Sequence, residues 1–490
     1  MHHPVVPSRA HLNIARIQTP LILVIDSYQI AFKAGRRSLF LFPVLSTFVK
    51  TNIARHIHLS RKVIPAMDIS LRFTVIFVIS IFAIEELKYC SVVEGEEMDL
   101  SELRKVVEEI ELVDGHSHNI VAFDSKAISS FVQAFTVGAF ADADSLAFAQ
   151  SSLSFKRSLR DVAELYGTEV YLEGVEEYRR ASGIEAITST CLSAAKFSAI
   201  LIDDGIEMDK RFEIEWHKKF GPLVGRILRT ERVAEQILEQ GLPDGSPWTL
   251  DSFTEAYVSN ITVTVAKEIY SLKTIAAYYG GLEMNLNVTK TDAEESLRQV
   301  LSAGKPIFLL NYRDLVDYLF LQTLEIALSY DLPVQIHTGF GDRILDLRKS
   351  NPLHFRSVLE DKRYSKCRFV LLHTSHPFSK EASYLASAYS QVYLDFGLAI
   401  PKLSIHGMIT AVKDLLNLAP IQKVMFSTDA YTFPETFYLG AKNSREVIFS
   451  VLRDACIDGE LLLPEAIEAA KDLLARNAIR FYKLTNITVP

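Results

Sequence analysis

Short apolar runs that stop at polar residues alternate along this chain with stretches whose apolar positions recur every three to four residues. The first pattern reads as buried strands, the second as one face of a helix. Helical spacing from residue 99 leads into a first strand at 110–113, interrupted only by Glu111 and halted by the turn pair Asp114-Gly115. Helical patterns at 157–166 and 170–182 precede a second strand at 197–202, which ends in Asp203-Asp204-Gly205, and a third at 223–228, which ends in Arg229-Thr230-Glu231. A helix around 250–259 precedes a fourth strand at 268–272 that stops at Lys273, and a helix at 290–303 leads to 306–310, a short strand or a link. The helix 314–330 feeds a fifth strand ending at His337, and the helix 352–360 feeds a sixth ending at His373. A seventh strand at 391–396, a helix at 408–418 and an eighth strand running from 423 to Asp429 come next. Two helices, 441–455 and 464–484, close the chain.

Eight strands alternating with helices predict a (β/α)8 barrel, an α/β TIM barrel, whose active face is built at the C-terminal ends of the strands. An open flavodoxin-like sheet is the competing arrangement, but it would scatter those strand ends. The chemistry at the ends is specific. In Asp114-Gly115-His116-Ser117-His118, residues i and i+2 of an extended chain point to one side, so two imidazoles aim at one point. Two neutral imidazoles are half of a divalent-metal site. His337, His373 and Asp429 occupy matching places after strands 5, 6 and 8, and together the five donors predict one metal centre over the barrel mouth.

Apolar residues make up 49% of the 490 and charged residues 23%, enough to build a sizeable buried core. Residues 1–80 carry ten Lys and Arg against two acids, so the overall charge of −8 leaves −16 on residues 81–490. An acidic body argues against nucleic acid as a partner, because phosphate binding needs a basic face. Cys90, Cys191, Cys367 and Cys456 are far apart and form no Cys-x-x-Cys, as expected in a reducing, cytoplasmic setting. Residues 1–97 read as a poorly ordered basic extension preceding a domain at 98–490; organelle targeting is the alternative. The apolar run at 73–84 is too short to span a bilayer, which takes about 20 residues. His56-Ile57-His58 repeats the His-x-His spacing, but it sits among Arg55, Arg61 and Lys62 with no strand before it, and reads as solvated.

The segments Val113-Asp-Gly-His-Ser-His-Asn-Ile-Val, Leu332-Pro-Val-Gln-Ile-His-Thr-Gly-Phe-Gly-Asp342, Val370-Leu-Leu-His-Thr-Ser-His-Pro-Phe-Ser-Lys-Glu-Ala, Val392-Tyr-Leu-Asp-Phe-Gly-Leu-Ala-Ile-Pro and Phe426-Ser-Thr-Asp resemble the amidohydrolase superfamily. The closer likeness is to the amidohydrolase half of FluG/nodulin-type proteins of plants and fungi, from about residue 98 to about 483. That resemblance implies a metal-dependent hydrolase acting on an amide-type carbon–nitrogen bond of a small molecule. His116, His118, His337, His373 and Asp429 are the implied ligands, with Asp429 and His373 as catalytic groups. The implied cofactor is one zinc ion, or two ions if Lys273 is carboxylated and bridges them. Lys273 is otherwise expected to bind a substrate anion, with Arg229 and His376 as further substrate contacts, Glu231 beside Arg229, and Asp203 and Asp395 as supports behind the ligands. His217, His354 and His406 are expected to be ordinary histidines. A non-hydrolytic decarboxylase and a catalytically weak scaffold are the alternatives, and a homo-oligomer is expected. Relatives of this kind carry Tyr, Arg and Gly where this chain has His376, Tyr279 and Ala430. They usually carry a glutamine synthetase-like domain for which residues up to Pro490 leave no room, so no ligation of ammonia to glutamate is expected.

Overall fold

The computed structural model of the chain describes residues 99–487 except 127–129, 136–142, 222, 266–268 and 486. The basic extension, His56-Ile57-His58 and Cys90 lie outside the described residues.

Eight parallel strands pair in chain order: β1 (Leu112–His118), β2 (Phe197–Asp203), β3 (Val224–Arg229), β4 (Ile269–Thr274), β5 (Val334–Ile336), β6 (Phe369–Leu371), β7 (Val392–Asp395) and β8 (Val424–Met425). This is the predicted (β/α)8 barrel. The strands are near-continuous apolar runs because both faces are covered, by the interior on one side and by helices on the other. Register sets the neighbours at the mouth. His118 lies opposite Asp203, and Arg229 lies opposite Lys273.

The barrel closes where β8 meets β1. There Gly115 N donates to the Phe426 carbonyl (3.2 Å), Asp429 N to the His116 carbonyl (2.9 Å) and His118 N to the Ala430 carbonyl (2.8 Å). Buried Asp114 adds a side-chain latch, accepting from Thr428 N (2.9 Å) and Thr428 Oγ1 (2.5 Å). β8 is shorter than its apolar run predicts. The residues after Met425 turn toward β1, and Asp429 itself takes a left-handed backbone (φ 49°) that no ladder accommodates.

Other differences are local. The stretch at 306–310 is a link, not a strand. The helix expected at 352–360 begins as the 3-10 turn Pro352–Phe355, capped by Asn351, before the α-helical Arg356–Glu360. The last helix is interrupted at Asp472–Arg476 by a π turn, where the Leu473 carbonyl accepts Phe426 N (3.0 Å). Just beyond it, Asn477 Nδ2 donates to the Ile421 and Val424 carbonyls (2.8 and 2.7 Å). The helix breaks where it serves the strand above it.

Between β1 and β2 the chain inserts Leu153–Tyr166, Leu172–Ser182 and Ile184–Ala195. Their apolar faces and the 3-10 turn Phe131–Phe135 form a second buried cluster that includes Phe131, Phe155, Val162 and Val175, and it packs on Phe433 and Leu439 at the start of the helix Pro434–Ile457. A buried Arg179–Glu435 ion pair fastens the insertion to that helix, with Tyr166 donating to the same carboxylate (2.7 Å). No described helix is long and apolar enough to cross a membrane.

Candidate metal centre

His116 and His118 are the last inward pair of β1, both buried. His116 Nε2 lies 3.2 Å from Asp429 Oδ1, and His118 Nε2 lies 3.3 Å from the same oxygen. Across the seam, the left-handed turn at Asp429 delivers that carboxylate. These three are the residues whose ligand atoms converge, all within 4.8 Å of one another.

His337 and His373 stand beside this trio. His373 Nε2 is 3.1 Å from His337 Nδ1, and the His373 ring centroid is 5.7 Å from that of His116. The chain presents His373 through three successive left-handed residues, His373, Thr374 and Ser375 (φ 69°, 53° and 50°). Asp395 Oδ1 secures the turn by accepting His373 N (3.2 Å) and Gly397 N (3.0 Å). The Thr-Gly-Phe-Gly run after β5 also has a steric reason. A Cβ on Gly339 would lie 2.4 Å from the Ser375 carbonyl carbon, and one on Gly341 would lie 2.9 Å from His337 Nε2. Glycine lets the backbone press against the histidines.

The charge states suit a cation. Burial, then the nearby Lys273, pushes His116 down to about 4, and burial first of all holds His337 and His373 well below the usual imidazole range. Neutral imidazole is the ligand form. His118 Nδ1 lies 3.0 Å from the Asp203 carbonyl, which fixes the ring with Nε2 toward Asp429. Burial works against ionising Asp429, but His373, His116 and His118 outweigh it and hold the carboxyl well below its ordinary value. His337 Nε2 is buried with no hydrogen-bond partner. Three convergent N and O donors, a neutral imidazole pair beside them and an ionised carboxylate fit a divalent metal.

The remaining expectations divide. Lys273 is 1% exposed, with Nζ 3.2 Å from His116 Nε2, so it sits inside the ligand group rather than at its open side. Burial brings its ammonium down to about 8. Arg229 is committed to Asp203 through Nε and Nη2 (3.1 and 2.6 Å). Glu231 accepts from Ile275 N (3.0 Å) and Thr274 Oγ1 and braces the end of β4. His376 stacks edge-on against Phe340, 5.1 Å between centroids, and joins the ligand group through its backbone, its N donating to the His373 carbonyl (3.1 Å). Asp203 meets His118 through its carbonyl, and Asp395 accepts His373 N. His217 is buried and structural, and His354 bonds the Arg348 carbonyl.

Sequence reasoning missed Asp114, Lys402 and Tyr431. Asp114 reads as a turn residue, yet it is the latch of the seam. Lys402 follows the recognised segment ending at Pro401 and shares a cleft with Asp429, Tyr431, Phe135, Ser154 and Ser158. A lysine directly after that segment was the available signal.

Residues 299–484 match the amidohydrolase family model. The chain is 30% identical over 415 residues to the fluG protein of Emericella nidulans, covering 79% of this chain and 47% of that one, so it spans about half the length of this relative. Among solved structures, a candidate metal-dependent hydrolase from Lactobacillus casei superposes with a TM-score of 0.68 at 23% identity, covering 78% of this chain and 97% of the other. A uronate isomerase from Thermotoga maritima gives 0.58 at 13% identity, covering 78% and 96%. With the barrel and the segments at its mouth, these matches show an amidohydrolase domain over residues 299–484, in a chain that resembles the fluG protein over most of its own length and folds like the metal-dependent hydrolase barrel.

Proposed function

We propose that this chain is a metal-dependent hydrolase that cleaves an amide-type carbon–nitrogen bond in a small molecule. One zinc ion would be held by His116, His118 and Asp429, with His337 and His373 completing the set. The observation that carries the reading is the convergence of two imidazoles and one carboxylate across the barrel seam. Bound there, the ion would polarise a carbonyl and make water a better nucleophile near neutral pH. The chain's own groups supply the proton transfers. Asp429, ionised, accepts a proton from the attacking water and returns it to the leaving nitrogen. His373, neutral and braced by Asp395, orients the water or the carbonyl. Asp203, the last residue of β2 and tied to Arg229, presents the carbonyl that His118 Nδ1 meets. Lys273 loses its proton more readily than an exposed lysine. As a neutral amine it can take up carbon dioxide, which is the two-ion form of the same site.

The test is metal stoichiometry of the full chain by elemental mass spectrometry, beside His116→Ala and Lys273→Ala, followed by a panel of amides, carboxylates and uronates. About one zinc, lost in His116→Ala and kept in Lys273→Ala, with turnover of an amide, is the expected outcome. About two, falling without Lys273, establishes the bridge. Carbon dioxide release from a carboxylate makes the chain a decarboxylase, and turnover of a uronate makes it an isomerase. Bound metal with no turnover leaves a scaffold.

A further inference from the structure

A histidine that binds a metal through one ring nitrogen donates the N–H of the other to an oxygen, which fixes its tautomer and its orientation. His118 meets such an oxygen in the Asp203 carbonyl, 3.0 Å from Nδ1. His337 presents Nδ1 to the ligand group, 3.1 Å from His373 Nε2. Its outer nitrogen, Nε2, is buried and has no hydrogen-bond partner. The neighbour on that side is Tyr278, on the turn that follows β4, where Tyr278 N donates to the Ile275 carbonyl (2.8 Å). The base of the turn is tied to His337, whose N donates to the Thr274 carbonyl (3.2 Å). The Tyr278 ring packs at a tilt against the His337 ring, 4.8 Å between centroids. From the other side Asp342 N donates to the phenol oxygen (3.0 Å), which holds the hydroxyl in place and leaves the oxygen able to accept a second donor. Gly341 shows where that oxygen faces. A Cβ there would run into the Tyr278 hydroxyl and stand 2.9 Å from His337 Nε2, and the three atoms nearest to it all belong to these two side chains. The phenol oxygen and the unpartnered nitrogen therefore border one small gap, and glycine keeps it open.

We propose that Tyr278 is the positioning residue of His337: across the gap left by Gly341, its phenol oxygen takes the Nε2–H of His337, so that Nδ1 faces the ligand group as an acceptor. The effect on zinc rests on the metal reading of the site; the contact between the two side chains does not. The same contact gives the second glycine of Thr-Gly-Phe-Gly a role, since any side chain at 341 would part the two atoms.

The full chain labelled with 15N-histidine is followed by NMR, chelator-treated and zinc-loaded, with the His337 signals assigned by their loss in His337→Ala. Zinc affinity is measured beside it by competition with a chelator. The His337 proton is expected on Nε2 in both forms. Tyr278→Phe, which keeps the ring, should shift that signal and weaken zinc binding about tenfold to a hundredfold. Gly341→Ala, which keeps the hydroxyl but fills the gap, should do the same. In a His337→Ala background, Tyr278→Phe should weaken zinc no further, because the two residues act as one unit. A His337 signal that Tyr278→Phe leaves unchanged overturns the proposal. So does a loss of affinity that persists in the His337→Ala background, since the hydroxyl then serves only the loop at Asp342. If the chain holds no zinc and the Nε2 proton still follows Tyr278, the contact stands and the metal reading falls.

Discussion

Asp114 and His217 show how buried polar residues outside the ligand set hold the site. Asp114 accepts three donors, Thr428 N, Thr428 Oγ1 and His116 N (3.2 Å), so one buried carboxyl group positions both sides of the seam. His217 uses both ring nitrogens: Nε2 accepts Ile120 N (3.0 Å) and Nδ1 donates to the Glu213 carbonyl (3.0 Å). That pattern requires the neutral ring, and burial pushes His217 down to about 4. The unfolded chain takes up this proton near pH 6.5, the folded chain only near 4. Between those values the unfolded state binds more protons, so stability is lost as pH falls through the window. Urea unfolding of chelator-treated protein at pH 7 and pH 5 should show this loss. In His217→Gln the loss should be smaller by about 2 kcal/mol. An unchanged loss would mean that His217 is not held neutral. The sequence reads this residue as ordinary, because a lone histidine on a short helix gives no sign of two committed nitrogens.

At the scale of elements, the strands were legible because each is a short apolar run ending in a polar residue that the mouth uses. The mouth loops were not, because they depend on backbone conformation rather than on hydrophobic period. The π turn at Asp472–Arg476, the left-handed run from His373 to Ser375 and the segment before Lys402 have no periodic signature. The Thr-Gly-Phe-Gly motif was visible, but its meaning is steric and needed the partner loop. Gly339→Ala tests that meaning. Gly339 combines φ +69° with a clash against the Ser375 backbone, whereas Gly167 has φ +66° with nothing within 4 Å of a Cβ. Gly167→Ala should therefore cost only conformational strain, about 1 kcal/mol, and leave zinc content intact. Gly339→Ala should cost more, about 2–4 kcal/mol, and lower zinc content by moving His337 and His373. Thermal unfolding and elemental analysis of the two variants decide it, and equal effects would rule out loop contact as the reason for glycine at 339.

For the whole molecule, the decisive feature is where the proposed ion would sit. His116 and His118 belong to the first strand, and Asp429 follows the last. The other seven strand pairings are parallel ladders, with register shifts in β1–β2 and β3–β4. The seam between β8 and β1 has four backbone hydrogen bonds near the mouth, the fourth from Val121 N to the Thr432 carbonyl (3.0 Å), and the Asp114 latch. A divalent ion bound by both sides would join the two ends of the barrel and couple metal binding to closure. A ligand that binds only the folded state stabilises it by mass action, about 4 kcal/mol when free ligand exceeds its Kd a thousandfold. Zinc should therefore raise the unfolding temperature of chelator-treated protein, and His116→Ala should abolish the rise while keeping the fold. The gain should also be local. Hydrogen exchange should slow most in peptides covering 112–121 and 424–432, the two sides of the seam, and little in β3 or β4. Protection spread evenly over the barrel would mean that zinc stabilises the fold without closing the seam. No rise in stability and no protection would remove the metal from this site, and with it the case for hydrolysis.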